Sequence, residues 1–436
     1  MPGLPQEPID RFLEPLARFL HVEAAGGVVL LLCTVAALIL ANSPAAAVFL
    51  GFWKTPLGFQ LGGFQMVYSL QHWINDALMA IFFFVIGLEV KRELVLGELR
   101  ELRRAVLPVA AAIGGMIVPA TLYLALQFGR PGERGWGIPM ATDIAFVVGC
   151  IAILGSRVPH SLRIMLLSLA IVDDIGAILV IAVGYTDDLS LASLAAGAAG
   201  IVLILGLTKL GVRSVGVYTL LGAGVWLAFH ESGVHATIAG VILGLITPAS
   251  RWVGPGVLGP ILDRAGHLFR GEDLASDQEH ARILRRVEQA SREAISPLER
   301  IETALHPWVG FVIMPIFALA NAGVPIRLGD LAAPVSLAVM AGLVVGKPVG
   351  ILLACWLAVK LRLAELPRGV GWGPIAAAGC LAGIGFTMAL FIAGLALKAP
   401  LLDTAKIGIL SGSILSALLG VGLMVALLPK RPETSP

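Results

Sequence analysis

Charge is scarce in this chain. Asp, Glu, Lys and Arg make up 14% of its 436 residues, where soluble domains carry about 25%. The net charge of +2 is too small for the basic surface that nucleic-acid binding requires, so no nucleic-acid partner is expected. Cysteine is also rare. Cys33, Cys150, Cys355 and Cys380 all fall inside apolar runs without metal-ligand spacing, and they read as small buried residues rather than ligands. The first residues, Met-Pro-Gly-Leu-Pro-Gln-Glu-Pro, lack the basic stretch of a cleaved signal peptide. The first apolar run is therefore expected to start insertion and to stay. What the chain has instead is hydrocarbon: 57% of residues are hydrophobic and the mean hydropathy is +0.89. With repeated long apolar runs, this is the composition of an all-α polytopic membrane protein surrounded by lipid.

Twelve spans are expected: Ala24–Ala41, Ile74–Leu88, Ala105–Leu126, Trp136–Leu154, Leu162–Val183, Leu191–Leu207, Val215–Phe229, Val234–Ile246, Leu305–Ala322, Pro334–Leu357, Pro374–Leu397 and Ile407–Leu428. Val234–Ile246 is short enough for length alone to suggest a re-entrant or interfacial segment. Charge bias settles the count. With twelve spans and both termini cytoplasmic, 24 of the 31 Lys and Arg fall on the cytoplasmic side and 6 outside, and Lys347 lies within a span. Eight of the 24 belong to one long loop, 251–300; without it the bias is still 16 against 6. The positive-inside rule predicts this orientation.

The 251–300 loop mixes charges of both signs, as in Asp-Gln-Glu-His-Ala-Arg-Ile-Leu-Arg-Arg-Val-Glu. It reads as a solvated amphipathic helix or a flexible connector between two membrane halves, the connector being favoured, within a single transporter domain of residues 1–436. On the outer side, residues 55–67 alternate Leu57, Phe59, Leu61, then Phe64 and Met66, around Gly62-Gly63. This predicts a β-hairpin with a two-residue turn. Its free edges make self-association plausible.

Against so apolar a background, ionisable residues within spans stand out. Asp173 and Asp174 are the only charges between Arg163 and Asp187, so a helix built on this run places both carboxylates near the bilayer midplane. An Asp there costs roughly 3 kcal/mol by insertion scales and is rarely kept without a role. Asp143 follows Thr142 in Gly-Ile-Pro-Met-Ala-Thr-Asp-Ile-Ala-Phe, where Pro139 removes a helical hydrogen bond. Gly379, Gly383 and Gly385 weaken the eleventh span, although membrane glycines also serve close helix packing. The fourth and eleventh spans are the middle members of the triplets three-four-five and ten-eleven-twelve. Interrupted segments in such corresponding places point to the binding site of an inverted-repeat transporter. If both helices break and cross, their ends bring partial charges inward. Asp143 suits the N-termini and Lys347 the C-termini. Lys347 is expected to pair with Asp173 or Asp174 and so remain charged, the lesser alternative being that it only satisfies carbonyls beside Pro348.

These residues lie in motifs that resemble the NhaA sodium/proton antiporter family. They are Val-Asp-Asp-Ile-Gly-Ala, Ala-Thr-Asp-Ile-Ala-Phe, Trp-Ile-Asn-Asp-Ala-Leu-Met-Ala, Gly-Leu-Glu-Val-Lys-Arg-Glu-Leu, Gly-Val-His-Ala-Thr, Gly-Lys-Pro and Leu-Ala-Gly-Ile-Gly-Phe-Thr-Met. The resemblance runs from about Ala24 to Leu428. The family is itself one of the examples behind the interrupted-repeat rule, so the two lines of reasoning are not independent. The resemblance implies twelve helices with both termini cytoplasmic, and crossed discontinuous helices at spans four and eleven. It further implies electrogenic exchange of sodium or lithium for protons, activation at alkaline pH, a bacterial inner membrane, and a homodimer using the outer hairpin. No cofactor is implied; sodium and protons are cargo.

By the same resemblance, Asp174 matches the essential cation-binding carboxylate. Asp173 matches its neighbour, assigned to cation binding or to a pairing with the lysine matched by Lys347. Thr142 matches a hydroxyl ligand, and Asp143 matches the charge compensating the helix ends. Asp76 matches a carboxylate near the outer end of the second helix. Glu89, Arg92, Glu93, Glu302 and His306 match positions at the cytoplasmic mouth where pH sensing is placed. The family pattern carries a second histidine after the mouth glutamate, where this chain has Thr303. The loop before Pro297 is also longer than the pattern. Both departures bear on the pH profile rather than on the transport chemistry.

Other readings are weaker. An intramembrane aspartyl protease also keeps two membrane aspartates, but on separate helices within Tyr-Asp and Gly-x-Gly-Asp patterns, and here Gly383-Ile-Gly385 is followed by Phe386. A differently coupled cation or proton transporter, or a channel, is the other alternative. His235 is expected to be packed or to start a helix, and Asp187-Asp188 to be solvated.

Overall fold

A computed structural model of the protein describes residues 23–61, 64–186, 189–212, 214–269 and 277–428. The Gly62-Gly63 turn, Asp187-Asp188 and the residues before Glu23 lie outside this set. Helix α1 (Glu23–Ala41) turns sharply into α2 (Ala46–Trp53), an angle of 120°. A two-stranded antiparallel sheet follows, β1 (Pro56–Leu61) and β2 (Phe64–Ser69). Its register pairs Leu61 with Phe64 and Pro56 with Ser69, so the hairpin expected from residue alternation is present and two residues longer on its second strand.

The long apolar segments are α3 (Leu70–Val95), α4 (Leu102–Gln127), a 3-10 helix (Glu133–Met140) leading to α5 (Ile144–Leu154), α6 (His160–Gly184) and α7 (Leu191–Lys209). The short helices α8 (Val215–His230) and α9 (Thr237–Ile246) follow. The 251–300 region contains two helices, α10 (Pro255–Phe269) and α11 (Asp277–Glu293), with residues 270–276 outside the described set. Most of the favoured connector is thus helical, the amphipathic alternative. Then come α12 (Pro297–Asn321), α13 (Pro334–Lys360), the pair α14 (Trp372–Ala382) and α15 (Phe386–Ala396), and α16 (Leu401–Leu427). Helices satisfy their own backbone, which is what hydrocarbon demands of a spanning segment.

Among the described residues, eight helices are long and apolar enough to cross a membrane, or ten when each bent pair counts as one span. Large apolar side chains such as Ile153, Val183, Leu191 and Leu220 are at least three-quarters exposed. A water-soluble monomer would not leave so many uncovered. Inside, the core is continuous through Phe83, Tyr123, Leu166, Leu169, Phe317, Leu343 and Phe391. Close helix packing rests on small residues. A Cβ on Gly114 would come within 2.3 Å of the Gly350 carbonyl oxygen, and one on Gly350 within 2.1 Å of the Gly114 oxygen. Helices α4 and α13 therefore touch backbone to backbone, the small-residue packing expected of membrane helices. That contact lies one turn beyond Lys347.

Several helices start before the apolar runs read from hydropathy, whereas α9 starts three residues later, at Thr237. Helix α3 begins at Leu70 and α12 at Pro297, both earlier than the apolar runs. The polar starts are held by local chemistry. Ser69 accepts from His72 N, and Ser296 forms a capping box with Glu299.

Candidate functional site

Asp173 and Asp174 lie midway along α6, 1% and 3% exposed. The sequence of α6 forbids water-facing alternatives, because almost every neighbouring residue is apolar. Lys347, completely buried, places its Nζ 2.7 Å from Asp173 Oδ2 and also donates to the Met140 carbonyl oxygen. Its position follows from α13. A π-helical turn, Gly342–Gly346, immediately precedes it, and the Gly114–Gly350 contact presses this stretch against α4. Such π-turns inside helices are frequent at functional sites.

The chain breaks in both segments singled out from sequence. Between the 3-10 helix and α5, residues 141–143 have no helical structure. Between α14 and α15, Gly383–Gly385 break the run with a 47° bend. The two breaks touch. Asp143 N donates to the Ile384 carbonyl oxygen at 2.7 Å, and Thr142 Oγ1 donates to the Ala382 carbonyl oxygen at 2.8 Å. A Cβ on Gly383 would lie 2.4 Å from the Leu343 carbonyl oxygen, so only glycine permits that approach.

One carboxylate serves two helix starts. Asp143 Oδ1 accepts from Ala145 N (3.1 Å) and Phe146 N (3.4 Å), the first turn of α5. Its Oδ2 accepts from Thr387 N at 2.9 Å, in the first turn of α15, and from the Thr387 hydroxyl. A negative side chain at two positive helix ends is electrostatically complementary. Lys347 reaches the opposite kind of end, the Met140 carbonyl where the 3-10 helix stops. The sequence placed Asp143 and Lys347 at the breaks. It did not reveal Thr387, whose hydroxyl sits inside a quoted motif without an evident partner.

The oxygens left over matter most. Asp173 Oδ1 is buried and receives no hydrogen bond of ordinary geometry, with the Thr142 hydroxyl and main-chain N–H close by. Among the described residues, none donates a hydrogen bond to the Asp174 carboxylate. Thr142 lies beside Asp173, and Glu89 and Asp143 lie within Coulombic reach of Asp174. Unsatisfied carboxylate oxygens, a hydroxyl with free lone pairs and broken-helix carbonyls form an all-oxygen environment, which suits protons and hard cations.

The residues read as a cytoplasmic mouth form a second group. Arg92 on α3 is ion-paired with Glu302 on α12, and Glu302 is only 6% exposed. Glu93 Oε2 accepts from Glu98 N at 3.2 Å, and Glu89 is half-buried. His306 is exposed one turn beyond Glu302, and Thr303 donates to the Glu299 carbonyl oxygen at 2.7 Å. Nearby, a cavity of about 420 Å³ is lined by Glu93, Glu98, Glu101, Arg104 and Ser168. Ser168 precedes Asp173 by five residues on α6, about 7.5 Å along the axis, so the cavity leads toward the aspartates without containing them. Asp76 joins neither group. It lies beside His72 and His230 at the hairpin end.

A polytopic helical bundle with carboxylates and a lysine buried where two chain breaks meet is an integral membrane protein with a centre suited to small cations and protons. Its relatives narrow this. The family profile described as Na+/H+ antiporter 1 matches residues 17–424, and the chain belongs to that family. It is 57% identical to the Na(+)/H(+) antiporter NhaA of Rhodopirellula baltica over 98% of this chain and 97% of the relative. It is 55% identical to that of Rhizobium meliloti, covering 96% and 95%. Against Na(+)/H(+) antiporter NhaA 2 of Vibrio vulnificus the identity is 48%, covering 96% and 93%.

Proposed function

We infer that this chain exchanges sodium for protons across a membrane. It is a multi-pass secondary transporter, not an enzyme. The observation that carries this is the 57% identity over nearly the full length of an antiporter. The chemistry of the buried oxygens agrees with it.

The finer reading is as follows. Eight long helices, two bent pairs and the two short helices α8 and α9 correspond to twelve spans, with both termini cytoplasmic by the charge bias. Residues 1–436 act as one transporter domain, with 251–300 as a helical cytoplasmic connector. Contact between the breaks of spans four and eleven supports crossed discontinuous helices in an inverted repeat. The site is Asp174, Asp173 and Thr142, with Asp143 and Lys347 compensating the helix ends. Glu89, Arg92, Glu93, Glu302 and His306 form the mouth. The hairpin at 55–67, with a free edge on each strand, is the dimer contact, and the membrane is a bacterial inner membrane.

Exchange follows from competition. Burial favours a protonated carboxyl, and a cation beside it favours the carboxylate. One set of oxygens therefore holds either protons or sodium, not both. If only loaded forms reorient, occupancy alone couples the two flows. Facing the cytoplasm, the carboxylates lose protons and take sodium or lithium; facing outward, protons displace the cation. Electrogenic exchange requires more protons than cations per cycle, and two adjacent aspartates supply that capacity.

The test is reconstitution of the purified chain in proteoliposomes. Sodium or lithium added against a preformed proton gradient should dissipate it, and potassium should not. Dissipation by potassium alone would favour a differently coupled cation transporter. Proton leakage without any added cation would favour a channel.

A further inference from the structure

We propose that His72, Asp76 and His230 form a binding site for a divalent transition metal of the zinc class, separate from the transported cation. Among the described residues these three are the one group of His, Cys, Asp and Glu whose ligand atoms all lie within 4.8 Å of one another. His230 Nδ1 is 3.2 Å and His72 Nε2 3.5 Å from Asp76 Oδ2. Bonds of about 2.0–2.1 Å at tetrahedral angles separate neighbouring ligand atoms by about 3.3–3.4 Å, so both spacings fit one ion. The His72 Nε2 atom is buried and makes no hydrogen bond, leaving its lone pair free for a metal in the matching tautomer.

The surroundings hold these groups in place. His72 and Asp76 are four residues apart on α3, and a π-turn, Ile74–Leu78, carries the aspartate. Tyr68 of β2 stacks on His72 at 4.5 Å, and Trp226 stacks on His230 at 5.6 Å. Trp226 Nε1 also donates to the Asp76 main-chain oxygen at 3.3 Å. Outer partners that fix ring orientation are a regular part of metal sites. The Asp76 and His230 side chains are only 14% and 11% exposed, so the ligand atoms face one another in a largely enclosed setting.

Two imidazoles and one carboxylate select a borderline transition metal over sodium, magnesium or calcium, which favour oxygen alone. The site is also remote from the aspartate pair. Asp76 and Glu89 are thirteen residues apart on α3, about 20 Å, and Glu89 is the α3 residue near Asp174. A bound ion would tie α3 to α8 at the hairpin end.

The test uses the full-length protein, purified in detergent and stripped with chelator, with Zn2+ and Co2+ as probes. One Zn2+ should bind per chain and raise the melting temperature, and Co2+ should give the intense visible bands of tetrahedral coordination. His72→Gln and His230→Gln should each weaken Zn2+ binding at least tenfold and abolish those bands, while His160→Gln, at an exposed position elsewhere, should change neither. Each variant is checked for monodisperse elution and retained sodium/proton exchange. Failure of wild type to take up stoichiometric Zn2+, or undiminished binding by both Gln variants, overturns the site. If a Gln variant misfolds, the wild-type Co2+ spectrum decides by itself: weak octahedral absorption overturns the proposal. None of these readouts depends on the assignment of the exchange site.

Discussion

The ammonium of Lys347 joins two separate elements: 2.7 Å from it is Asp173 Oδ2 on α6, and the same nitrogen donates to the Met140 carbonyl at the end of the 3-10 helix. Lys347 and Asp173 are both essentially inaccessible. Removing one partner of a buried pair strands the other, at a cost of about 3–5 kcal/mol. Lys347→Ala is therefore expected to lower the melting temperature markedly as well as transport. The double variant Lys347→Ala/Asp173→Asn should recover a large part of the stability, since no charge is then left alone. A single variant that melts like wild type would show that the pair contributes nothing to the fold.

Asp174 stands apart from its neighbour because no hydrogen bond from the described residues holds its carboxylate. A group without a structural partner can be changed at little structural cost. Asp174→Asn should insert, elute and melt close to wild type yet lose sodium/proton exchange in proteoliposomes. Substantial exchange by the purified variant would move the site elsewhere.

Asp143 tests the junction of the breaks. Loss of one helix cap costs about 0.5–2 kcal/mol, and Asp143 caps both α5 and α15. Asp143→Ala should therefore cost about 1–4 kcal/mol. Asp143→Asn keeps an acceptor oxygen and should cost less than half as much in thermal melts. Equal losses for the two variants would mean that charge, rather than capping, is what the junction needs.

The sequence made some of this readable and hid the rest, for physical reasons. Isolated charges in apolar runs are conspicuous, so Asp173, Asp174, Asp143 and Lys347 could be picked out without a structure. Pro139 and the Gly383–Gly385 pair marked the breaks because each removes something a helix needs. The capping box at Ser296 and Glu299 was written in the sequence, but hydropathy runs do not register it, and α12 was placed too short. Partnerships across long separations leave no local trace. Arg92 and Glu302 are 210 residues apart, and Asp143 and Thr387 are 244 apart. The same holds for His72 and His230, which carry no ligand-like spacing. The sharp turn from α1 to α2 was also invisible, since the short second helix is apolar but far too short to span.

The proposed competition between protons and sodium for the same oxygens fixes the sign of a pH effect. Lowering the pH raises proton occupancy, so the apparent KM for sodium must rise while the maximal rate is preserved. Where the site is mostly protonated, a single competing proton gives about a tenfold rise in KM per pH unit, and two give about a hundredfold. Above that range KM should level off. Initial rates across sodium concentration at several pH values measure the slope. A maximal rate that falls with acid at constant KM would place the controlling proton outside the exchange site.

The last prediction concerns that second location. Glu302 is buried against Arg92 near the end of α3, beyond Glu89. A charge pair placed there can set how readily the mouth opens or fills without touching the midplane oxygens. Glu302→Gln leaves Arg92 without its carboxylate but preserves side-chain volume. It should shift the midpoint of the pH–activity curve by more than it changes the maximal rate. His306 is exposed one turn further along α12, and Thr303 between them turns its hydroxyl onto the Glu299 carbonyl oxygen. His306→Ala should therefore produce a smaller shift than Glu302→Gln. The decisive measurement is the full pH profile of both variants at saturating sodium. Profiles overlying wild type in both would mean that the mouth has no sensing role and that protonation of the aspartates alone sets the pH response.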